Sequence, residues 1–341
     1  MTMFAKAALH LGERLPWPDR LTAAVIDSRV ADQRRKLAGA PADCAETFAA
    51  EMAQLPIAFH TDAANTQHYE IPAAFFAHVL GPQRKYSCCL YDGSDCSLAR
   101  AEENALRTTA ENAQLEDGQS ILELGCGWGS LTLWMAQSFP KARILAVSNS
   151  QSQRALITNE AKARGLSNVK VVTADMNDFA IVRRFDRVIS IEMFEHMANW
   201  QRLLQRVRGW LDPDGRLFLH VFSHRSTPYR FSEENEDDWI AQHFFTGGFM
   251  PSHSLIRQFS DVFTVEEEWR WEGAQYARTA QDWLANFDAE EDAVAAILKS
   301  VYGREARLWH RRWRLFLLAT AGLFGHACGD WGVSHYRLAP A

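Results

Sequence analysis

With 341 residues, 47% hydrophobic and 23% charged, the chain is large enough for one big α/β domain with additions or for two domains, in the composition range of soluble globular proteins. A net charge of −6 speaks against nucleic acid as the main partner, because phosphates need a basic surface. The six cysteines (Cys44, Cys88, Cys89, Cys96, Cys126 and Cys328) show no C-x-x-C spacing, no signal-peptide core opens the chain, and the longest apolar run, 315–324, is too short to span a bilayer. Reduced thiols, no metal site and a cytoplasmic location are therefore expected.

Residues 1–80 read as a helical cap, with helical spacing at 20–37 and 44–55 and breaks at Pro16, Pro18 and Pro41. The stretch 64–76 gathers His68, Tyr69, Phe75 and Phe76 around Pro72, and 85–91, KYSCCLY, is polar and aromatic just ahead of a helix at 98–112. From 119 onward strand and helix alternate, with strands expected at 120–124, 143–148, 170–173, 187–191 and 216–222. Helices open near Ser130, Ser152, 193–199 and Gln201. This rhythm predicts a doubly wound parallel sheet covered on both faces. Asp212-Pro213-Asp214-Gly215 reads as a turn before the fifth strand. Residues from 225 to about 250 break the rhythm and are expected to form an inserted lid. Two further strands, 263–271 and 331–338, without a standard crossover between them, point to an antiparallel partner at one edge. Between them lies a helical segment at about 280–328, which places Arg304, Arg307, Arg311, Arg312 and Arg314 among Trp309, Trp313 and Phe316. That pattern fits a core helix with a solvated basic face, or a helix resting on a membrane surface.

Ligands of doubly wound sheets sit outside the carboxyl ends of the strands, so the residues after each strand belong together. After the first strand, Gly125, Gly127 and Gly129 form a bare turn that opens a helix. The spacing is G-x-G-x-G, without the third glycine that lets a pyrophosphate rest on the helix end. A nucleoside without phosphates is favoured, and S-adenosylmethionine is the commonest. After the second strand come Ser148, Asn149 and Gln153, with no acid where a dinucleotide's ribose acceptor stands; Asn149 or Gln153 takes that role. After the third, Asp175 is placed to accept from an adenine amino group, or else caps a helix, with Met176 against the ring. After the fourth, Glu192, Glu195 and His196 cluster at a position where burial without a use is costly. His220, within the fifth strand, is either functional or a satisfied core histidine, and Tyr276 is unremarked by spacing alone.

Seven segments, KYSCCLY, ILELGCGWGS, VSNSQSQ, IEMFEHM, HFFTGGFMPS, AQYARTAQDWL and WGVSHYRL, stand in an order and spacing that resemble the coclaurine N-methyltransferase group of the wider cyclopropane-fatty-acid-synthase family. The likeness runs from about Pro56 to the C-terminus. It implies a class I S-adenosylmethionine methyltransferase: a seven-stranded sheet with the last strand antiparallel, an N-terminal cap at 1–80 and the catalytic domain at 81–341. It implies that Tyr86 and Ser87 close over the cofactor, that Gly125, Gly127, Ser148, Asn149 and Gln153 hold it, and that Met176 and Asn177, beside Asp175, meet adenine. In the cyclopropane synthases a bicarbonate serves as base, and its ligands would map to the Cys88 main chain, Glu195, His220 and Tyr276. In the N-methyltransferases Glu192, Glu195 and His196 would bind and deprotonate the amine.

The expected chemistry is attack of a nucleophile on a sulfonium methyl, for which a protein supplies alignment, desolvation and a proton acceptor. An amine at neutral pH is protonated, so carboxylates that hold the ammonium and an imidazole that takes its proton suit an amine acceptor. Glu195 and His196 are assigned to positioning and base, with Glu192, His220 and Tyr276 in support. A small, aromatic or hydrophobic amine is the expected partner. Transfer to an unsaturated acyl lipid, with bicarbonate bound and a membrane touched, is the alternative, and a silent cofactor-binding module a third. HFFTGGFMPS and SHRSTPYRF resemble the amine subgroup more than the lipid one.

Overall fold

The five residues of Ser120–Leu124 are all buried, and the sheet is built outward from them. The computed structural model describes residues 13, 17–59, 71–232, 234 and 238–341. His68 and Tyr69 lie outside the described residues.

Among the described residues, four helices precede the sheet: α1 (Asp19–Ala38), α2 (Cys44–Met52), α3 (Ala73–Val79) and α4 (Leu98–Asn112). Ser97 starts α4 by accepting the Arg100 N–H. Then follow β1 (Ser120–Leu124), α5 (Ser130–Ser138), β2 (Arg143–Ser148), α6 (Gln151–Ala163), β3 (Val169–Thr173), β4 (Phe185–Ile191), α7 (Trp200–Trp210) and β5 (Leu211–His224). The insertion carries β6 (Tyr229–Arg230), α8 (Trp239–His243) and β7 (Phe249–Met250), with β6 and β7 paired as a small second sheet. The chain ends through β8 (Phe263–Glu272), α9 (Gly273–Ala289), α10 (Glu291–Tyr302), α11 (Ala306–Phe324) and β9 (Trp331–Pro340).

The main sheet runs β3-β2-β1-β4-β5-β9-β8. The first five are parallel, and β9 is antiparallel to both of its neighbours. The order reverses between β1 and β4, which sets the ligand crevice at their carboxyl ends. The antiparallel strand is therefore not at the edge, as the sequence pattern had it. β9 is buried between β5 and β8, and β8 takes the edge with alternating charged residues facing out.

Two other expectations change. A single 3-10 turn, Phe194–His196, stands where a helix was expected at 193–199, because Asn199 caps α7 by accepting the Arg202 N–H and forces a fresh start there. The 212–215 turn lies within the bounds of β5 as a register shift, Phe185 pairing with Leu211 and Arg187 with Arg216. A Cβ on Gly215 would stand 2.9 Å from the Phe185 carbonyl oxygen, so the excursion stays packed against β4.

One core face joins β1, β4 and β5 to α7 through Leu122, Val188, Leu203 and Val207. The opposite face sets Ile121, Ile144 and Ile189 under α4 and α5. A third core, rich in Trp and Phe, lies between α3, α9, α10, α11 and the insertion. α1 crosses α11 at Gly322, where an added Cβ would meet Ile26 at 2.5 Å. The basic face of α11 is partly spent inside the protein: Arg314 bridges Asp19 and Asp288, and Arg312 holds Glu13. Among the described residues no helix is long and apolar enough to cross a membrane.

Candidate active site

The glycine turn after β1 has three left-handed residues, Gly125 (φ 78°), Gly127 (φ 50°) and Gly129 (φ 83°). They differ in what confines them. A Cβ on Gly125 would meet Met193 at 2.6 Å and one on Gly129 would meet Ile157 at 2.6 Å, whereas one on Gly127 would meet nothing within 4 Å. Gly127 is bare towards open space, the arrangement that lets a ligand approach backbone.

Beside it lies a hollow of about 90 Å³, bounded by Ser148, Asn149, Gln153, Asp175 and Met176. Ser148 donates to Gln153 Oε1 at 2.6 Å and accepts the Ser150 N–H at 2.9 Å, fixing the end of β2. That leaves the buried Gln153 Nε2 without a protein acceptor. A buried donor of this kind calls for a partner, and a ribose hydroxyl is of suitable chemistry. Asp175 accepts the Asn177 N–H at 2.7 Å. Asn177 faces away from the hollow: its amide exchanges two hydrogen bonds of 3.1 Å with Ala58. Ala58 and Phe59 consequently form a wall of the hollow that no motif in the sequence marks.

A second cavity of about 180 Å³ meets the first at Gly125, Gly127, Gln153, Glu192 and His196. Its walls are aromatic, from Tyr86 and Trp283 on one side to Phe231, Phe245, Phe316 and Phe324 on the other. Ser87 lies at the same wall and accepts from Lys85 Nζ at 2.5 Å.

Glu192 stands at the seam. It is the residue after β4 and has φ 46°, a left-handed conformation costly for a side-chain-bearing residue. Oε1 accepts from the Cys88 N–H at 3.0 Å and faces His220 Nε2 at 3.0 Å, while Oε2 accepts from the Tyr276 hydroxyl at 2.7 Å. Burial pushes its carboxyl above the usual range, and nearby Lys85, the Cys88 N–H and Tyr276 pull it back. Burial also holds His220 well below the usual imidazole range and Tyr276 well above the usual phenol range. His220 therefore serves as a neutral donor to Glu192.

His196 lines both cavities, its ring stacked on Phe245 with centroids 4.3 Å apart. Glu195 is placed differently from its neighbours. It is fully buried, outside the walls of both cavities, and its Oε1 accepts the Phe222 N–H at 2.8 Å. Burial, reinforced by the charge of Glu192, pushes its carboxyl well above the usual range. Glu195, assigned from the sequence to positioning the amine, thus holds β5 from behind, and Glu192 is the carboxylate that lines the cavities.

The groups expected to ligate bicarbonate do not converge on a vacancy. Cys88, His220 and Tyr276 all direct their hydrogen bonds to the Glu192 carboxylate. A second anion there would meet the Glu192 carboxylate, which already takes these three groups. The site does not fit bicarbonate.

The family model described as Mycolic acid cyclopropane synthetase matches residues 59–330. The (S)-coclaurine N-methyltransferase of Thalictrum flavum subsp. glaucum is 35% identical over 288 residues, covering 83% of this chain and 80% of that one. The cyclopropane-fatty-acyl-phospholipid synthase of Escherichia coli (strain K12) is 29% identical over 260 residues, 76% of this chain and 63% of that one. A crystal structure of coclaurine N-methyltransferase bound to N-methylheliamine and SAH superposes with a TM-score of 0.94 at 32% identity, covering 98% of this chain and 99% of the other. The chain belongs to the cyclopropane synthetase family of S-adenosylmethionine-dependent methyltransferases, on the branch of the coclaurine N-methyltransferases.

Proposed function

We propose that this methyltransferase methylates the nitrogen of a small, ring-bearing hydrophobic amine, the class that the relatives named for coclaurine and pavine act on. The observation that carries the reading is the seam: an aromatic-walled cavity opens onto the nucleoside hollow at Glu192 and His196, and Glu192 fills the place an external anion would need.

Bound S-adenosylmethionine supplies an electrophilic methyl group. Tyr86 and Ser87 cover it, Gly125, Gly127, Ser148, Asn149 and Gln153 hold it, and Asp175 and Met176 take the adenine, with Asn177 buttressing that wall through Ala58. The Glu192 carboxylate attracts the ammonium form of the acceptor and orients its nitrogen. His196, at the same seam, takes the proton and frees the lone pair. Phe245 fixes the His196 ring by stacking, and the Phe and Trp walls exclude water and favour the cationic product. Residues 1–80 act as a cap and 81–341 as the catalytic domain.

Incubating the protein with methyl-labelled cofactor and either a tetrahydroisoquinoline-type amine or vesicles of unsaturated phospholipid tests the reading. Label in the amine is expected. Label in the lipid overturns it.

A further inference from the structure

Lys85 is an unusual residue to find where it is. It is 4% exposed, at the wall of the acceptor cavity, in a protein that must accept a sulfonium and an amine. A buried ammonium there repels both unless it serves the carboxylates around it. Its Nζ donates to Ser87 Oγ at 2.5 Å and to the Cys88 carbonyl at 2.6 Å, and its own N–H is held by Glu102 Oε1 at 3.1 Å. Glu102 also accepts the Gln83 N–H at 2.8 Å, so the segment 83–88 is folded back under the cavity with Lys85 at its centre. The next donor along is the Cys88 N–H, which goes to Glu192.

We propose that Lys85 is the positioning residue for Glu192: its ammonium braces the Ser87–Cys88 segment whose Cys88 N–H feeds the carboxylate, and so stands as a buried cation one hydrogen-bonded residue away from it. Among the described residues, Lys85 is the cation that pulls the Glu192 carboxyl down, while Arg84 of the same cavity wall pairs with Glu160. From the loop of Glu192 come Glu195 and His196, from the 85–89 segment Lys85, Tyr86, Cys88 and Cys89, from β5 His220, from α9 Tyr276, and from β9 His335, stacked on His220 at 4.4 Å. Glu195 opposes the charge of Glu192, and burial keeps His220 and His335 neutral. Burial raises the Glu192 carboxyl, and Lys85 is the foremost influence pulling it back. Taking the ammonium away therefore moves the protonation of Glu192 to higher pH.

This inference refines the amine-methylation reading, but its test does not depend on it. In the SAH complex, ¹³C-carboxyl NMR follows the Glu192 signal, identified by its loss in Glu192→Gln. Lys85→Gln keeps a donor for Ser87 and Cys88 while removing the charge, and its Glu192 signal is expected to titrate about one pH unit higher. Lys85→Arg keeps the charge and is expected to titrate as the native protein does. With an amine acceptor, the acid limb of kcat/KM is expected to shift likewise in Lys85→Gln, giving about tenfold loss at the acid side and recovery at alkaline pH. An unmoved Glu192 titration, or a loss equal at every pH, overturns the proposal. If Lys85→Gln does not fold, the same Glu192 signal is followed in Lys85→Met, and an unmoved Glu192 titration there rejects the coupling. Failure to methylate any amine would count against the functional reading alone.

Discussion

The two halves of the active site are made from different material. The cofactor half is assembled from loops at the ends of β1, β2 and β3, where backbone, small polar side chains and bare glycines face the ligand. The acceptor half is assembled from the insertion and α9 and α11, and it presents aromatic rings. The first half is rigid because its residues cap the strands of a buried sheet. The second is a set of pieces brought from distant parts of the chain, held by their packing on one another. A site divided this way can keep its cofactor while its acceptor pocket is reshaped.

Substitutions sharpen that division when read by which ligand they affect. His196→Ala, at the seam, is expected to lower turnover by about 10²–10³-fold while leaving SAH binding, measured by calorimetry, within about threefold. A variant that turns over normally would remove His196 as the base. Gly127→Ala should weaken SAH by about 100-fold, since φ 50° strains any residue with a Cβ and the new methyl would project into the space the glycine turn leaves open. The acceptor KM of residual activity should stay near native. Phe316→Ala is expected to act in the other direction, raising the acceptor KM about tenfold with SAH affinity unchanged. If either substitution moves both ligands equally, the halves are not separable.

The smallest expected effect lies furthest from the chemistry. Glu13 ties two walls of the acceptor half together: its carboxylate accepts from Trp239 of the insertion at 2.5 Å and from Arg312 of α11 at 3.0 Å, with His243 at 3.7 Å. Burial raises its carboxyl, but His243, Arg312 and Trp239 outweigh it and bring it down to about 2. A depressed carboxyl contributes stability that is present above its ordinary value of 4.5 and is lost as pH falls from there towards about 2. Glu13→Gln is therefore expected to lower the thermal midpoint by a few degrees at pH 7 and progressively less as the pH drops below that ordinary value. A destabilisation that stays constant with pH would show that the charge of Glu13 is not what fastens the walls.

The cofactor half was legible from spacing because its information is local. Strand, glycine turn and helix follow within 120–130, and β1 and β2 have the bounds their patterns predicted. The acceptor half was legible only through the family resemblance, because its walls are ordinary Phe and Trp until the fold brings 231, 245, 283 and 316 together. Glu192 and Glu195 show the limit most sharply. Three residues apart in one motif, they read alike, yet a left-handed turn at the first sends its carboxylate to the cavity wall while the second is buried behind it under Phe222. Lys85 carried a signal, a lysine inside an aromatic run, but its burial arises from Glu102, seventeen positions on. His335 faces His220 only through the antiparallel register of β9 with β5.

Position 192 also marks a conflict between backbone and side chain. The conformation there is one that glycine adopts without strain, at a gain of about 1–2 kcal/mol, whereas removal of the carboxylate orphans the donors of Cys88, His220 and Tyr276. Glu192→Gly would accordingly create a socket shaped for a small oxyanion, and dissolved formate or bicarbonate should restore part of the lost rate in a saturable way. The native enzyme, with its anion tethered to the chain, is expected to gain no rate from such salts. One substitution would thus turn a self-sufficient catalyst into one that is switched by its medium.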